Sequence, residues 1–372
     1  MTGVVVERLS VRDFRGYAAA EIRLGDALTV IHGPNGAGKT NLLEALYFGC
    51  TGRSCRTSDE RHVVRFEARP GAVRVEVATR DRDGAHSLAV GFQPGEAKRF
   101  RVDGAPVERL VDNPSRPLVS VFLPDRLELV KGPPALRRAH LDQVVAALWP
   151  TRGETRRAYS AALAQRNALI ARIRRGGASR ASLPAWDAEL ARHGVALRAD
   201  RARAVEALHE PFAQIAAELG LSGEASLEER PRARAQTEEE LVAELAAGVD
   251  GDLERGFTQR GPHRDDLALL RDGRALRDYG SQGEQRLALL ALLLAERAVM
   301  AEERDGAPLL LLDDVMSELD ASRRERLVER VRAGGQAVIT TTDLGHVPGA
   351  SEAGVVRVAV AEGTVLQEVA AA

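Results

Sequence analysis

An α/β fold is what this 372-residue chain predicts: a mixed sheet with helices and an antiparallel β portion, into which a mostly helical lobe is inserted. Three observations lead there. Short apolar or alternating runs occupy both ends of the chain, while the middle carries helical spacing. The octapeptide GPNGAGKT at 33–40 stands between a strand-like run and a helix-like one. A second such run, PLLLLDD at 308–314, ends on two acids.

In chain order, Val4–Leu9 alternates and ALTVIH at 27–32 is a compact apolar run. VRVEVAT (73–79), HSLAVGF (86–92) and KRFRVDG (98–104) read as strands, with turns marked by Asp83-Gly84 and Asp103-Gly104. LVSVFLP at 118–124 is another, stopped by proline. From Lys131 the spacing becomes helical. Tyr159, Leu163, Ile170 and Ile173 share one face; after RGGASRASLP, so do Trp186, Leu190, Leu197, Leu208, Phe212, Ile215 and Leu219. The acidic stretches at 228–231 and 237–241 are expected as solvent-facing helix and loop. Strand signals return at 308–314 and at AVITTT (337–342), and VVRVAVAEGTVLQEV reads as a hairpin turning at Glu362-Gly363. The expected organisation is one domain from 1–130 plus 255–372, with its terminal strands in a shared sheet, and an inserted helical lobe at 131–254.

A formal net charge of -2 gives no overall field that calls for a polyanion, so any nucleic-acid surface has to be a local patch. Cys50 and Cys55 offer neither a disulfide framework nor paired zinc spacing, which points to a reduced, cytoplasmic setting. MTGVVVERLSVRDF has charges where a signal peptide needs an apolar core. The longest apolar run, Leu287–Ala295, falls short of the ~20 residues that cross a bilayer, so no membrane partner is expected.

GPNGAGKT fits the phosphate-binding loop pattern of glycine, four residues, then Gly-Lys-Thr, in strand–loop–helix context. Its glycines let backbone N–H groups converge on phosphate oxygens at a helix N-terminus. Gly33, Pro34, Asn35, Gly36, Ala37, Gly38, Lys39, Thr40 and the following Asn41 are therefore the expected ATP contacts. Lys39 would reach the β- and γ-phosphates and the Thr40 hydroxyl would hold Mg²⁺. Asp313 and Asp314, at the end of a leucine strand, lie where ligands bind in open α/β sheets. Asp313 is expected to hold the magnesium through water, and Asp314 to orient or deprotonate the attacking water.

These elements resemble the ATP-binding-cassette ATPases, specifically their chromosome-maintenance branch. There a serine-glycine signature loop caps a helix and faces the nucleotide of a second subunit. SQGEQ at 281–285 sits where that loop belongs, so the resemblance implies that Ser281, Gly283 and Gln285 approach a partner copy's nucleotide, with Ser281 sharing in catalysis. VRDFRGY, KTNLLEALYFG, VFLPDRLELVKGPPALRRAHLD, AQRNALI, GPHRDD, GSQGEQR and LLLLDDVMSELD with TTTD follow the order of the RecF family over about residues 5 to 345. That resemblance implies an ATP-dependent homodimer that binds single-strand and gapped duplex DNA in recombinational repair and replication. With RecO and RecR it would help place RecA on single strands, and a weak, DNA-stimulated ATPase would act as a release switch. The chain departs from the family's usual sequence in one place and from the wider cassette ATPases in two, and those two fit the RecF family. Pro124-Asp125-Arg126-Leu127 replaces proline-glutamate-aspartate-leucine, and no glutamine loop is assignable there. Thr342 stands before Asp343 where many such ATPases carry a histidine. Asp314 replaces their usual glutamate.

Eleven basic residues crowd 131–180, among them Arg137, Arg156, Arg157, Arg166, Arg172, Arg174 and Arg175, against only Asp142 and Glu154. Arg156, Arg157, Arg172, Arg174 and Arg175 are the candidate DNA contacts, weighed against an arginine excess that runs through the whole chain. Aromatic residues are 4% of the chain, which favours grip on the phosphate backbone over base stacking. His263, Asp265 and Asp266 in GPHRDD are expected to be structural or phosphate-contacting, because Arg264 in their midst disfavours a metal. Arg15 has two readings, one beside nucleotide or DNA and one as a plain surface residue. A transporter's nucleotide-binding subunit, the head of a long-armed chromosome organiser and a P-loop small-molecule kinase are the competing functions.

Overall fold

The computed structural model describes residues 3–68, 71–304 and 306–369; the side chains of Asp112, Asp125, Glu368 and Val369 lie outside the described part. These residues form two compact units: one runs to Arg126 and resumes at Met300, the other spans Leu127–Val299.

The chain opens with β1 (Val5–Phe14), β2 (Tyr17–Arg23), β3 (Leu28–His32) and helix α1 (Lys39–Thr51). It continues through β4 (Val73–Asp81), β5 (Gly84–Phe92), β6 (Arg99–Val102), β7 (Ala105–Val107) and β8 (Val119–Phe122). The second unit comprises α2 (Glu128–Lys131), α3 (Pro134–Leu148), α4 (Gly153–Arg174), α5 (Leu183–Glu218), β9 (Ala225–Arg230), α6 (Glu238–Ala247) and α7 (Val249–Arg255). It ends with β10 (Asp266–Arg271), β11 (Arg274–Ala275), α8 (Leu276–Tyr279) and most of α9 (Gln282–Glu303). Then come β12 (Leu309–Leu312), α10 (Ala321–Ala333), β13 (Ala337–Thr341), β14 (Val355–Ala361) and β15 (Thr364–Val369).

The first unit contains two six-stranded sheets. One is antiparallel, in the order β2-β1-β4-β5-β6-β7; the other runs β15-β14-β3-β13-β12-β8 and is parallel except for its β15 edge. Strands from both ends of the chain do share that second sheet. Helix α1 shares one apolar core with residues from both sheets, including Leu42, Leu46 and Phe48 from the helix, Val75 and Val77 from the first sheet, and Leu311 and Val338 from the second. The helix approaches the antiparallel sheet so closely that a Cβ on Gly49 would lie 2.4 Å from Val77 Cγ2.

The second unit is helical, as expected, around α4 and α5, but its range differs from 131–254. Residues 255–299 belong with it because β10 pairs with β9 and the Arg137 fork grips Asp266 at 2.8 and 2.9 Å. The stretch at 228–231 is a second correction. Glu228, Glu229 and Arg230 lie in a strand rather than in helix and loop, with Ala225 and Leu227 buried in alternation behind the acids. The stretch at 237–241 does open helix α6, through a reciprocal cap between Thr237 and Glu240. Strands β2 and β10 were not foreseen: an alanine run hides the alternation of β2, and GPHRDD draws attention from LALLR. Among the described residues no helix is long and apolar enough to cross a membrane.

Arg166, read from sequence as part of a basic surface, is fully buried. Its guanidinium donates to Asp187 at 2.6 Å, to Asp252 at 2.7 Å and to the Thr258 hydroxyl at 2.7 Å. Replacing it with Leu leaves two carboxylates in the interior without their counter-charge, and breaking a buried pair in this way costs about 3–5 kcal/mol. Arg166→Leu is expected to lose that much in urea unfolding; a loss below about 1 kcal/mol would show the network to be dispensable.

Candidate nucleotide site

Strand order assembles the site. β13 lies between β3 and β12, with Leu312 opposite Ile339 and Ile339 opposite Val30. Three carboxyl ends therefore stop at one sheet edge: β3 runs into the Gly33–Thr40 loop, β12 into Asp313 and Asp314, and β13 into Thr340–Asp343.

The loop needs its glycines. Gly33 has φ +153°, and a Cβ there would sit 2.1 Å from the Val360 carbonyl oxygen of the neighbouring β14. Gly38 has φ +112°, and its Cβ would meet the Tyr17 hydroxyl at 2.7 Å. Tyr17, wholly buried, donates to the Gly38 carbonyl at 3.1 Å and supports the loop from behind. Helix α1 starts with neither a side-chain cap nor an acid in its first turn, so its positive end stays available to an anion. The Lys39 ammonium donates to the Gly33 and Pro34 carbonyls at 2.8 and 2.9 Å. Burial lowers its pKa, while Asp314 and Asp313 pull it back up.

Asp313 is only 6% exposed. The Thr40 hydroxyl stands 3.0 Å from each of its carboxylate oxygens, and the Thr340 hydroxyl donates to Oδ1 at 2.7 Å. Thr340 is itself held by the Asp314 N–H at 2.9 Å. Burial raises the Asp313 pKa, against the two hydroxyls that lower it. A desolvated carboxylate supported by neutral hydroxyls, with a lysine alongside, is a hard oxygen donor set suited to Mg²⁺. Asp314 adopts the left-handed conformation at φ 47° and ψ 30°. Among the described residues its buried Oδ1 has no hydrogen-bond partner.

In the second unit Ser281 and Glu284 form a reciprocal cap on α9. The Glu284 N–H donates to Ser281 Oγ at 3.3 Å, and the Ser281 N–H to the Glu284 carboxylate at 2.8 Å. That backbone bond leads the causes that hold the Glu284 pKa down. Ser281, Gln282 and Gly283 are exposed, and a Cβ on Gly283 would meet nothing within 4 Å. Gln285 departs from its expected part. It is buried, and its amide donates to the Leu276 and Gly280 carbonyls at 2.9 and 3.1 Å, so it holds the loop from within instead of facing a ligand.

The basic segment divides. Arg137 and Arg166 are interior ties. Arg156 pairs with Asp142 at 3.1 Å and Arg157 with Glu154. Arg172, Arg174 and Arg175, at the end of α4, are exposed, and none has an ion-pair partner among the described residues. GPHRDD is a junction of the second unit. The Tyr159 hydroxyl donates to His263 Nδ1 at 2.6 Å, and His263 Nε2 donates to the Thr258 carbonyl at 3.0 Å; burial lowers the His263 pKa and favours this neutral form. Asp265 ties Arg198 at 3.2 Å and the Arg232 N–H at 2.8 Å. Arg15 is neither free nor plainly superficial: its fork grips the fully buried Glu44 of α1 at 2.9 and 2.7 Å. Sequence reasoning missed Tyr17, Glu44 and Thr340. Only Thr340 had a readable signal, in TTTD beside the acidic strand.

A loop wrapped on a helix N-terminus, an acidic strand end joined to it through threonine, and an inserted unit that bears a capped serine-glycine loop define a class. The chain matches the RecF/RecN/SMC N terminal domain over residues 5–366. It is 38% identical to the DNA replication and repair protein RecF of Frankia alni, over 96% of this chain and 98% of that one. It is 37% identical to that of Streptomyces avermitilis, over 97% and 99%. The chain belongs to the RecF family. Its fold is also that of a solved RecF described as a recombination mediator with ATP in the RecFOR pathway, with a TM-score of 0.87, 27% identity and 98% coverage of both chains. An Smc head domain from Pyrococcus furiosus, 18% identical with a TM-score of 0.60 over 98% of this chain and 96% of that one, shares the fold.

Because burial raises the Asp313 pKa, this group contributes stability below its unfolded pKa, and that contribution is lost as pH rises towards the folded pKa. Asp313→Asn is therefore expected to melt higher than the parent at neutral pH, with the gap narrowing toward about pH 4, near the unfolded carboxyl pKa, while losing magnesium-dependent ATP binding. A lower melting temperature at neutral pH would contradict the assignment of Asp313 as a desolvated, cation-seeking carboxylate.

Proposed function

We propose that this chain is an ATP-gated DNA-binding protein of recombinational DNA repair and replication, with ATP hydrolysis as its release switch. The observation that carries the reading is the Thr40–Asp313–Thr340 junction beside Lys39 and the phosphate-loop glycines. Gly33–Asn41 would cradle the triphosphate, Lys39 would meet its β- and γ-oxygens, and Thr40 and Asp313 would hold Mg²⁺, Asp313 through water. The bound cation supplies charge neutralisation between the phosphates. Asp314, with a buried oxygen left unpartnered among the described residues, would orient or deprotonate the attacking water. Its carboxylate is shorter than a glutamate's, which suits slow turnover. The solved RecF–ATP likeness supports the nucleotide, and the family supports DNA repair and replication as the setting.

Ser281 and Gly283 would act in trans. Gly283 stands in the first turn of α9, and nothing in its own fold requires it to lack a side chain. Close approach by the γ-phosphate bound to a second copy gives it a reason. ATP would thus join two copies around DNA, with gapped duplex and single strands as substrates and RecO, RecR and RecA as the family's expected partners. The likeness to Smc heads is one of fold alone; a transporter subunit would usually carry a plainer LSGGQ signature, which this chain lacks, and a small-molecule kinase would leave the exposed, capped SQG turn without a role.

Ser281→Arg is expected to keep monomer ATP binding while abolishing ATP-induced dimerisation and hydrolysis. Mixing it with Lys39→Ala creates one composite site with both parts intact, so partial hydrolysis is expected to return. If Ser281 does no more than cap α9, the variant loses ~1 kcal/mol of stability and still dimerises with ATP. Light scattering at saturating ATP separates these outcomes.

A further inference from the structure

The antiparallel sheet of the first unit has an outer face that the nucleotide site does not use. Its register sets side chains in rows across the strands. One row reads Ala19, Arg12, Arg74, Gly91, Arg99 over β2, β1, β4, β5 and β6. The next reads Glu21, Ser10, Glu76, Ala89, Arg101. Both rows lie on one face, because alternate residues such as Leu9, Val11, Val75, Val77, Leu88 and Val90 point into the core.

The first row contains three arginines and no acid. Arg12 sits directly opposite Arg74, an arrangement that disfavours a sheet when nothing lies between the charges. Arg74 leans on Glu76 at 3.0 Å and Arg99 on Glu96 at 2.7 Å, yet their side chains remain 66% and 78% exposed. Arg12 and Arg101 are exposed, and among the described residues neither has a carboxylate at ion-pair distance. Between Arg74 on one side and Arg99 and Arg101 on the other, Ala89 and Gly91 leave a groove of about 300 Å³. Ala89 and Gly91 leave its floor low, and Arg74, Arg99 and Arg101 line it together with Gln93, Glu96 and Phe92. With a net charge of -2 on the whole chain, the three arginines of the first row are a local concentration of positive charge, beside Glu21 and Glu76 in the second row.

The dimensions suit a nucleic-acid backbone. Three strand intervals of ~4.8 Å carry the row about 14 Å from β1 to β6. Charge on one duplex strand recurs every ~3.4 Å of helix axis, so a row of this length is long enough to meet more than one backbone phosphate. Arginine forks bind phosphate oxygens in pairs. Phe92 and Phe100 pack against the core, and of the two only Phe92 also lines the groove, so this face offers no run of rings on which successive bases could stack. The geometry points to the outer face of this sheet as a docking surface for the phosphate backbone of duplex DNA, separate from the arginines at the end of α4. This rests on the DNA-binding reading proposed above.

The test uses the full chain with ATP, a fluorescent duplex and a single strand of equal length, read by anisotropy across a salt series. Arg12→Gln/Arg101→Gln removes the two arginines without ion-pair partners and keeps their bulk. Its melting temperature should equal or exceed the parent's, since the repulsion at Arg74 is relieved. The log–log salt slope for duplex binding is expected to fall by about two, at ~0.9 per phosphate contact, with a smaller change for the single strand. Arg174→Gln/Arg175→Gln is the comparator. An unchanged duplex slope in the sheet variant beside a reduced one in the α4 variant would overturn this surface and leave the DNA reading standing. A parent protein with no duplex binding at any salt would overturn both. Loss of ATP-induced dimerisation in the sheet variant, with duplex binding by the remaining protein unchanged, would assign the face to a second copy and refute the proposal.

Discussion

One buried carboxylate joins three distant pieces of this chain. Asp313 accepts from Thr40, 273 positions away, and from Thr340 on the strand that separates β3 from β12. Taking a carboxylate out of water is costly unless hydrogen bonds and a counter-charge meet it. The hydroxyls supply the first and Lys39 part of the second. The strand order, the glycine loop with Tyr17 behind it and the bend at Asp314 all bear on holding that group in place. The chain can accommodate a second unit between β8 and β12 because both strands are fixed by parallel pairing in one sheet, Leu309–Leu312 matching Val119–Phe122.

Local chemistry was the part of the site that sequence could reveal. GPNGAGKT and LLLLDD each announce a strand end, and the structure joins the two through Thr40 and Asp313. The partners that stiffen the site were hidden. Tyr17 lies in a strand masked by alanines, and Glu44 looks like an ordinary helix acid until Arg15, Arg56 and Ser54 are seen to converge on it. Gln285 misled in the opposite direction, because a polar residue in a polar motif was turned inward to hold the loop. Burial of a polar side chain depends on tertiary neighbours, and composition has no access to them.

Arginine serves three purposes in this protein, and sequence alone cannot separate them. Arg137, Arg166 and Arg201 are interior ties, each on an aspartate. Arg156, Arg157 and Arg180 form ion pairs on or near the surface, which add little to stability. Arg12, Arg101, Arg172, Arg174 and Arg175 are exposed without such pairs among the described residues. The division explains how a chain with a net charge of -2 can still carry concentrated positive surfaces. It also explains why strand register revealed a basic row that the linear sequence, with Arg12, Arg74 and Arg99 far apart, did not suggest.

The central claim is that the Thr40 hydroxyl and Asp313 together form the cation seat of a nucleotide site. Thr40→Val keeps the side-chain shape and removes that hydroxyl. Calorimetric titration of ATP into the parent and this variant, each with magnesium and with a chelator, tests the claim most directly. Magnesium is expected to strengthen ATP binding by the parent and to have little effect on the variant, whose binding in chelator should match the parent's. An equal magnesium enhancement in both proteins would contradict it.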